Sequence, residues 1–84
     1  MDEREELKQE LERELQWIRY RQKMLDIMEH KLLQMRQLTE QAKQNNFTQE
    51  ELEAINVRLN ELVAQVRALD SESRRTEDGK IFEL

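Results

Sequence analysis

The sequence predicts an all-α protein, a long antiparallel, coiled-coil-like helical hairpin that pairs into a dimeric four-helix bundle with a short C-terminal tail. One glycine, no proline and 39% charged residues among 84 form a composition typical of long helices. Apolar residues recur at alternating spacings of three and four in two stretches, which indicates two amphipathic helices. A polar turn signal separates these stretches, and the chain has the length of one small domain.

The turn is predicted at residues 45–48, Asn-Asn-Phe-Thr. Thr48 and Glu51 have the spacing of a capping box, in which each side chain accepts a hydrogen bond from the backbone amide of the other residue. Asn45 and Asn46 tolerate the left-handed conformation that commonly ends a helix. We therefore predict a helix at residues 2–44 and a second helix at residues 49–72.

Two apolar stripes predict how these helices pack. A short connection between matching stripes favours antiparallel neighbours. The predicted layers pair Ala42 with Leu52, Thr39 with Ile55, Met35 with Leu59, Leu32 with Leu62, Met28 with Val66, and Leu25 with Leu69.

The first helix is predicted to be longer than the second, about 63 Å against about 36 Å. Residues 3–20 then form an overhang with no helical partner in the chain. The stripe weakens there, because Glu14 and Arg21 occupy core-type positions. The overhang still carries Trp17 and Tyr20, half of the aromatic residues of the protein.

Two arrangements could cover the overhang. In one, a second copy packs against it as a homodimer or higher homo-oligomer. In the other, residues 73–84 run back along it as a tail, with a turn at residues 76–79 followed by a short extended segment. Apolar residues outside the primary stripe, including Ile27, Leu33 and Val63, favour the dimer. The predicted interaction residues are Leu7, Leu11, Leu15, Trp17, Ile18, Tyr20, Met24, Ile81 and Phe82.

The sequence predicts no catalytic, cofactor-binding or metal-binding residues. His30 is the single histidine and there is no cysteine, so no converging ligand set can be argued. A net charge of −5 argues against a nucleic-acid partner, and no apolar run is long enough to span a membrane. We expect a cytoplasmic location.

Residues 31–81 resemble the helical hairpin in the N-terminal core region of bacterial flagellins. The segment LQMRQLTEQA at residues 33–42 is similar to the family's LQRMRELAVQA, and the polar turn at residues 45–51 follows it. The resemblance implies a bacterial hairpin that serves self-assembly. The flanking helices of a flagellin inner tube have no counterpart here, and TEDGK at residues 76–80 replaces the family's FNG.

The predicted function is that of a non-enzymatic, self-associating module for assembly, adaptor or regulatory roles. One alternative is an adaptor or chaperone-like hairpin that binds a heterologous helix, with a role related to motility. A second alternative is a small helical enzyme, because residues 24–27 (MLDI) and Arg36 resemble the first helix of the all-helical chorismate mutases. That family also has a third helix and further basic residues around a closed pocket.

Overall fold

A computed structural model describes the backbone of residues 2–82 and the side chains of residues 2–74. Helix α1 spans Glu3–Gln44 and helix α2 spans Gln49–Phe82. The helices form a hairpin measuring 68 × 17 × 13 Å. The predicted all-α hairpin is therefore confirmed.

Each helix begins at a side-chain cap. At α1 the Asp2 carboxylate accepts a hydrogen bond from the Glu5 amide at 2.8 Å. At α2 the predicted capping box is confirmed, since the Glu51 amide donates to Thr48 Oγ1 and the Thr48 amide donates to Glu51 Oε1, both at 3.2 Å. Such caps satisfy amide groups that have no acceptor inside the helix.

The end of α1 differs from the prediction. Asn45 is extended, with φ −112° and ψ 150°, and no non-glycine residue of the described chain has a positive φ. Both the backbone amide and the side-chain amide of Asn45 donate to the carbonyl oxygen of Gln41, at 3.1 and 2.9 Å. These bonds satisfy a terminal carbonyl group, so the left-handed conformation is not needed there.

The end of α2 also differs, because the helix continues ten residues beyond its predicted end at residue 72. The turn predicted at residues 76–79 is wrong, and only residues 83 and 84 of the predicted tail lie outside the described backbone. Loss of the apolar period does not end a helix whose backbone hydrogen bonds are local. Arg74 pairs with Asp70 one turn earlier at 2.9 Å, and one interior glycine weakens a helix by only about 1 kcal/mol.

The longer α2 shortens the predicted overhang. Arg21 of α1 hydrogen-bonds Ser73 of α2, which places these two residues at the same height along the hairpin. Because the helices are antiparallel, every other pair of facing residues has the same sum of residue numbers, 94. The end of α2 then lies level with about residue 12, at 1.5 Å per residue. The unpartnered part of α1 is therefore about residues 3–11 rather than 3–20.

The side of α1 that faces α2 is rotated from the predicted one. The α2 stripe from Ile55 to Leu69 is confirmed, with Leu62 fully buried. On α1, however, Leu25 and Leu32 remain 46% and 51% exposed, whereas Met24 is half-buried. We call the positions that face α2 the hairpin stripe of α1: Glu10, Glu14, Trp17, Arg21, Met24, Met28, Lys31, Met35, Leu38 and Ala42.

The predicted and observed α1 stripes share one heptad position, that of Met28, Met35 and Ala42. The second heptad position of the observed stripe lies one residue earlier in the sequence than that of the predicted stripe. Successive helical residues are about 100° apart, so α1 is turned by roughly half that angle from the predicted orientation. The axial alignment of the helices was correct, and the rotation of α1 was not.

Candidate interaction surface

The structure places the predicted interaction residues in three groups. Four leucine and isoleucine residues of the N-terminal half of α1 are 46–60% exposed. Three larger side chains, Trp17, Tyr20 and Met24, are half-buried instead. The side chains of Ile81 and Phe82 lie outside the described part of the chain. The exposed group is Leu7, Leu11, Leu15 and Ile18.

An exposed apolar stripe runs along α1 beside the hairpin stripe. Its positions alternate by four and three from residue 11 to residue 36, with Gln22, Glu29 and Arg36 at the polar places. We call its apolar members the outer stripe: Leu11, Leu15, Ile18, Leu25 and Leu32, which are 59%, 46%, 49%, 46% and 51% exposed.

The outer stripe and the hairpin stripe face directions about 100° apart, since one is displaced from the other by one residue. In a four-helix bundle each helix contacts two neighbours at approximately a right angle. Helix α1 therefore has the apolar pattern of a bundle corner. One of its two faces is occupied by α2, and the other faces outward in the single hairpin.

Inter-helix polar contacts show which edge of the hairpin carries the outer stripe. The Arg21 guanidinium lies 3.7 Å from the Asp70 carboxylate, at the edge of α1 next to the outer stripe. Lys31 donates to Gln65 at 2.7 Å along the opposite edge. Val63 precedes Asp70 by one heptad, so this half-buried residue of α2 lies on the same edge as the outer stripe.

One of these polar contacts bears on the rotation of α1. Arg21 donates to the hydroxyl group of Ser73, which is fully buried, but Arg21 lies at the heptad position that both stripes share, so this bond fits either rotation. Rotation towards the predicted stripe would turn Lys31 away from Gln65, to which it donates at 2.7 Å. The Lys31–Gln65 hydrogen bond thus favours the hairpin stripe over the more apolar alternative.

Trp17 carries a polar atom for which the described side chains supply no partner. Its indole Nε1 is buried and has no hydrogen-bond partner among the described residues. An indole N–H usually finds a partner when it is buried. Among the described residues, the interactions of Trp17 in the hairpin stripe are therefore those of its apolar ring.

Near its N-terminus the outer stripe continues into a shallow groove. Three leucines, Leu7, Leu11 and Leu15, form its apolar floor. Charged side chains border them, among them Lys8 and Glu12. This pattern, an apolar strip with charged margins, is typical of a surface that packs against another helix.

No chemistry of another kind is apparent in the described residues. None of their histidine, cysteine, aspartate and glutamate side chains form a group of three or more that could hold a metal ion. His30 is exposed on α1. Neither helix, over its described length, contains a stretch long and apolar enough to cross a membrane.

Comparison with known proteins adds no family to this description. No protein-family model, curated protein or solved structure matches the chain. The flagellin and chorismate mutase resemblances therefore stay predictions.

Sequence reasoning missed two members of the outer stripe, Leu25 and Leu32, because it assigned them to the hairpin core. The missed signal was that Met24 and Leu38 form an equally regular stripe one residue earlier. Two stripes on one helix indicate two partners. Only the position of α2 shows which stripe is left exposed.

Proposed function

We propose that this chain is a self-associating helical hairpin, which acts through protein–protein contacts as an assembly, adaptor or regulatory module. The observation that carries the proposal is the outer stripe, five large apolar side chains at coiled-coil spacing that are about half exposed. Isolated exposed leucines are ordinary on protein surfaces. A periodic row of them along one helix is the pattern of a helix–helix interface.

The exposed area of the chain supports the same proposal. Its accessible surface is 7091 Å². A compact monomer of 10.3 kDa exposes about 5,400 Å². The difference, roughly 1,700 Å², is larger than the ~800 Å² that each partner contributes to a stable interface. A second hairpin packed on the outer stripe would cover a large part of this excess.

Sedimentation equilibrium with two matched variants tests the proposal. Leu25→Glu places a charge in the outer stripe, where it would be buried without a partner on association. Val57→Glu makes the same kind of change at a 57% exposed residue on the side of α2 that faces away from α1. We expect the unmodified chain and Val57→Glu to dimerise at tens of micromolar, and Leu25→Glu to be monomeric with unchanged helical circular dichroism.

A folded, strictly monomeric chain at these concentrations would contradict self-association. It would favour the alternative function, in which the same stripe binds a helix of another protein. Crosslinking in cell lysate would then identify a recurrent foreign partner, whereas a homodimer gives mainly self-crosslinks. The cytoplasmic location also stays a prediction, because the structure bears only on membrane-spanning segments.

A further inference from the structure

We infer that α1 of one copy packs antiparallel against α1 of a second copy, about a two-fold axis near Gln22. This inference rests on the proposed self-association and specifies its geometry. Two other arrangements compete with it: a parallel pairing of the two α1 helices, and a pairing of α1 with α2 of the second copy. The apolar pattern, the charges and the symmetry of the outer stripe distinguish them.

The apolar pattern favours pairing of α1 with α1. The equivalent outward positions of α2, on the edge that carries Val63, are mainly polar and charged. Packing the outer stripe on them would bury leucines against groups that lose their hydration. Packing it on a second outer stripe joins two apolar surfaces. The α2 positions are Glu53, Asn56, Asn60, Val63, Arg67 and Asp70.

The charge distribution favours the antiparallel direction. Between Asp2 and Glu14 the helix region carries seven acidic and three basic side chains, whereas Arg19 to Lys43 carries six basic and three acidic ones. An antiparallel pair places the acidic end of each α1 beside the basic part of the other, and complementary charges select this orientation. A parallel pair would instead bring Glu29 towards its own copy within the stripe.

The position of the two-fold axis follows from the apolar span. The outer stripe extends from Leu11 to Leu32, so its midpoint is close to Gln22. Arg19 and Asp26 lie at one heptad position on the margin of the stripe and are almost symmetric about this midpoint. Both are exposed. In the antiparallel pair Arg19 of each copy faces Asp26 of the other, which creates two ion pairs.

Spin-label distances measured on the full chain test the inference directly. The chain has no cysteine, so Lys8→Cys and Gln22→Cys each introduce a single labelling site. Both sites are exposed on α1. Lys8 is 14 residues from the axis, so we expect a label separation of about 42 Å along the helices at Lys8. At Gln22 the two labels should lie within about 25 Å, because paired helices are 8–10 Å apart.

Short distances at both sites in a dimer would overturn the inference, since parallel α1 helices and pairing of α1 with α2 each place the two Lys8 residues at the same level. That result would leave the proposed function intact. A monomeric mass with no coupling between labels at either site would instead contradict self-association itself, and the inference with it. The two failures are therefore distinguishable.

A charge exchange provides an independent check. Arg19→Glu and Asp26→Arg should each weaken dimerisation several-fold, up to about tenfold, because each replaces two attractive pairs by two repulsive ones. The double variant exchanges the charges and should restore the dissociation constant of the unmodified chain. An additive loss in the double variant would overturn the antiparallel arrangement.

Discussion

Ser73 and Arg21 show how single polar residues align the hairpin. Ser73 has no exposed surface, and its hydroxyl group donates to the Leu69 carbonyl at 3.0 Å while it accepts from Arg21. The Arg21 side chain is only 17% exposed and also lies 3.7 Å from Asp70. A buried donor that loses its acceptor retains the cost of desolvation. The two residues therefore favour one axial alignment of α1 and α2.

Removal of this hydroxyl group should be costly. We expect Ser73→Ala to lower the free energy of unfolding by about 1–2 kcal/mol, because it removes a hydrogen bond to a charged group. Ser71→Ala, at an exposed position of the same helix, should change stability by no more than about 0.5 kcal/mol. Urea unfolding followed by circular dichroism measures both. Equal effects of the two variants would show that the Arg21–Ser73 contact contributes nothing.

At the scale of the helix, α1 presents two apolar faces, and only one of them packs within the hairpin. Leu62 of α2 is fully buried, whereas Leu32, its predicted partner, is 51% exposed. At the height of Leu62 along the hairpin, the half-buried residues of α1 that face α2 are Lys31 and Met35. The amino group of Lys31 donates to Gln65 at 2.7 Å. A half-buried lysine of this kind can cover apolar surface with its methylene groups while its charged end stays in water.

The different environments of these two leucines give an element-scale prediction. Leu62→Ala should cost about 2–5 kcal/mol, the range for a buried leucine. Leu32→Ala should cost less than about 1 kcal/mol when measured by urea unfolding at low protein concentration, where the single hairpin predominates. Equal and large costs under these conditions would mean that Leu32 does lie in the hairpin core, as the sequence alone predicted.

The whole molecule is a long, thin hairpin with little interior. Met28, Leu62 and Ser73 are the buried residues of the part that the structure describes, so most apolar side chains retain contact with water. Small domains are marginally stable even when compact. Under the proposed self-association, a second hairpin on the outer stripe would stabilise the first, and folding would then be coupled to association.

This coupling predicts a melting temperature that depends on protein concentration. Raising the concentration tenfold stabilises a dimer by about 1.4 kcal/mol, which corresponds to an increase of roughly 3–6 °C because this energy is shared by the two chains that unfold together. Circular dichroism melts across a hundredfold concentration range measure the effect. The Leu25→Glu variant should melt at one temperature throughout. A concentration-independent melting temperature of the unmodified chain would contradict coupled folding and association.

The sequence by itself determined the features that local interactions control. Thr48 and Glu51 cap α2 through bonds three residues apart, and the absence of proline lets α1 run unbroken to Gln44. The apolar period of α2 has a single solution, so its buried side was predictable. The interaction residues Leu11, Leu15 and Ile18 were also found to be exposed, because they lie on the outer stripe, which faces away from α2.

Only the tertiary structure decided the rotation of α1, whereas the length of α2 was misjudged for a local reason. The stripes through Met24 and through Leu25 share Met28 and Met35, so periodicity alone does not distinguish them. The choice depends on where α2 places Gln65, whose contact with Lys31 joins residues 34 positions apart in the sequence. The end of an amphipathic pattern is not the end of a helix, because burial depends on a neighbour while helical hydrogen bonds are local.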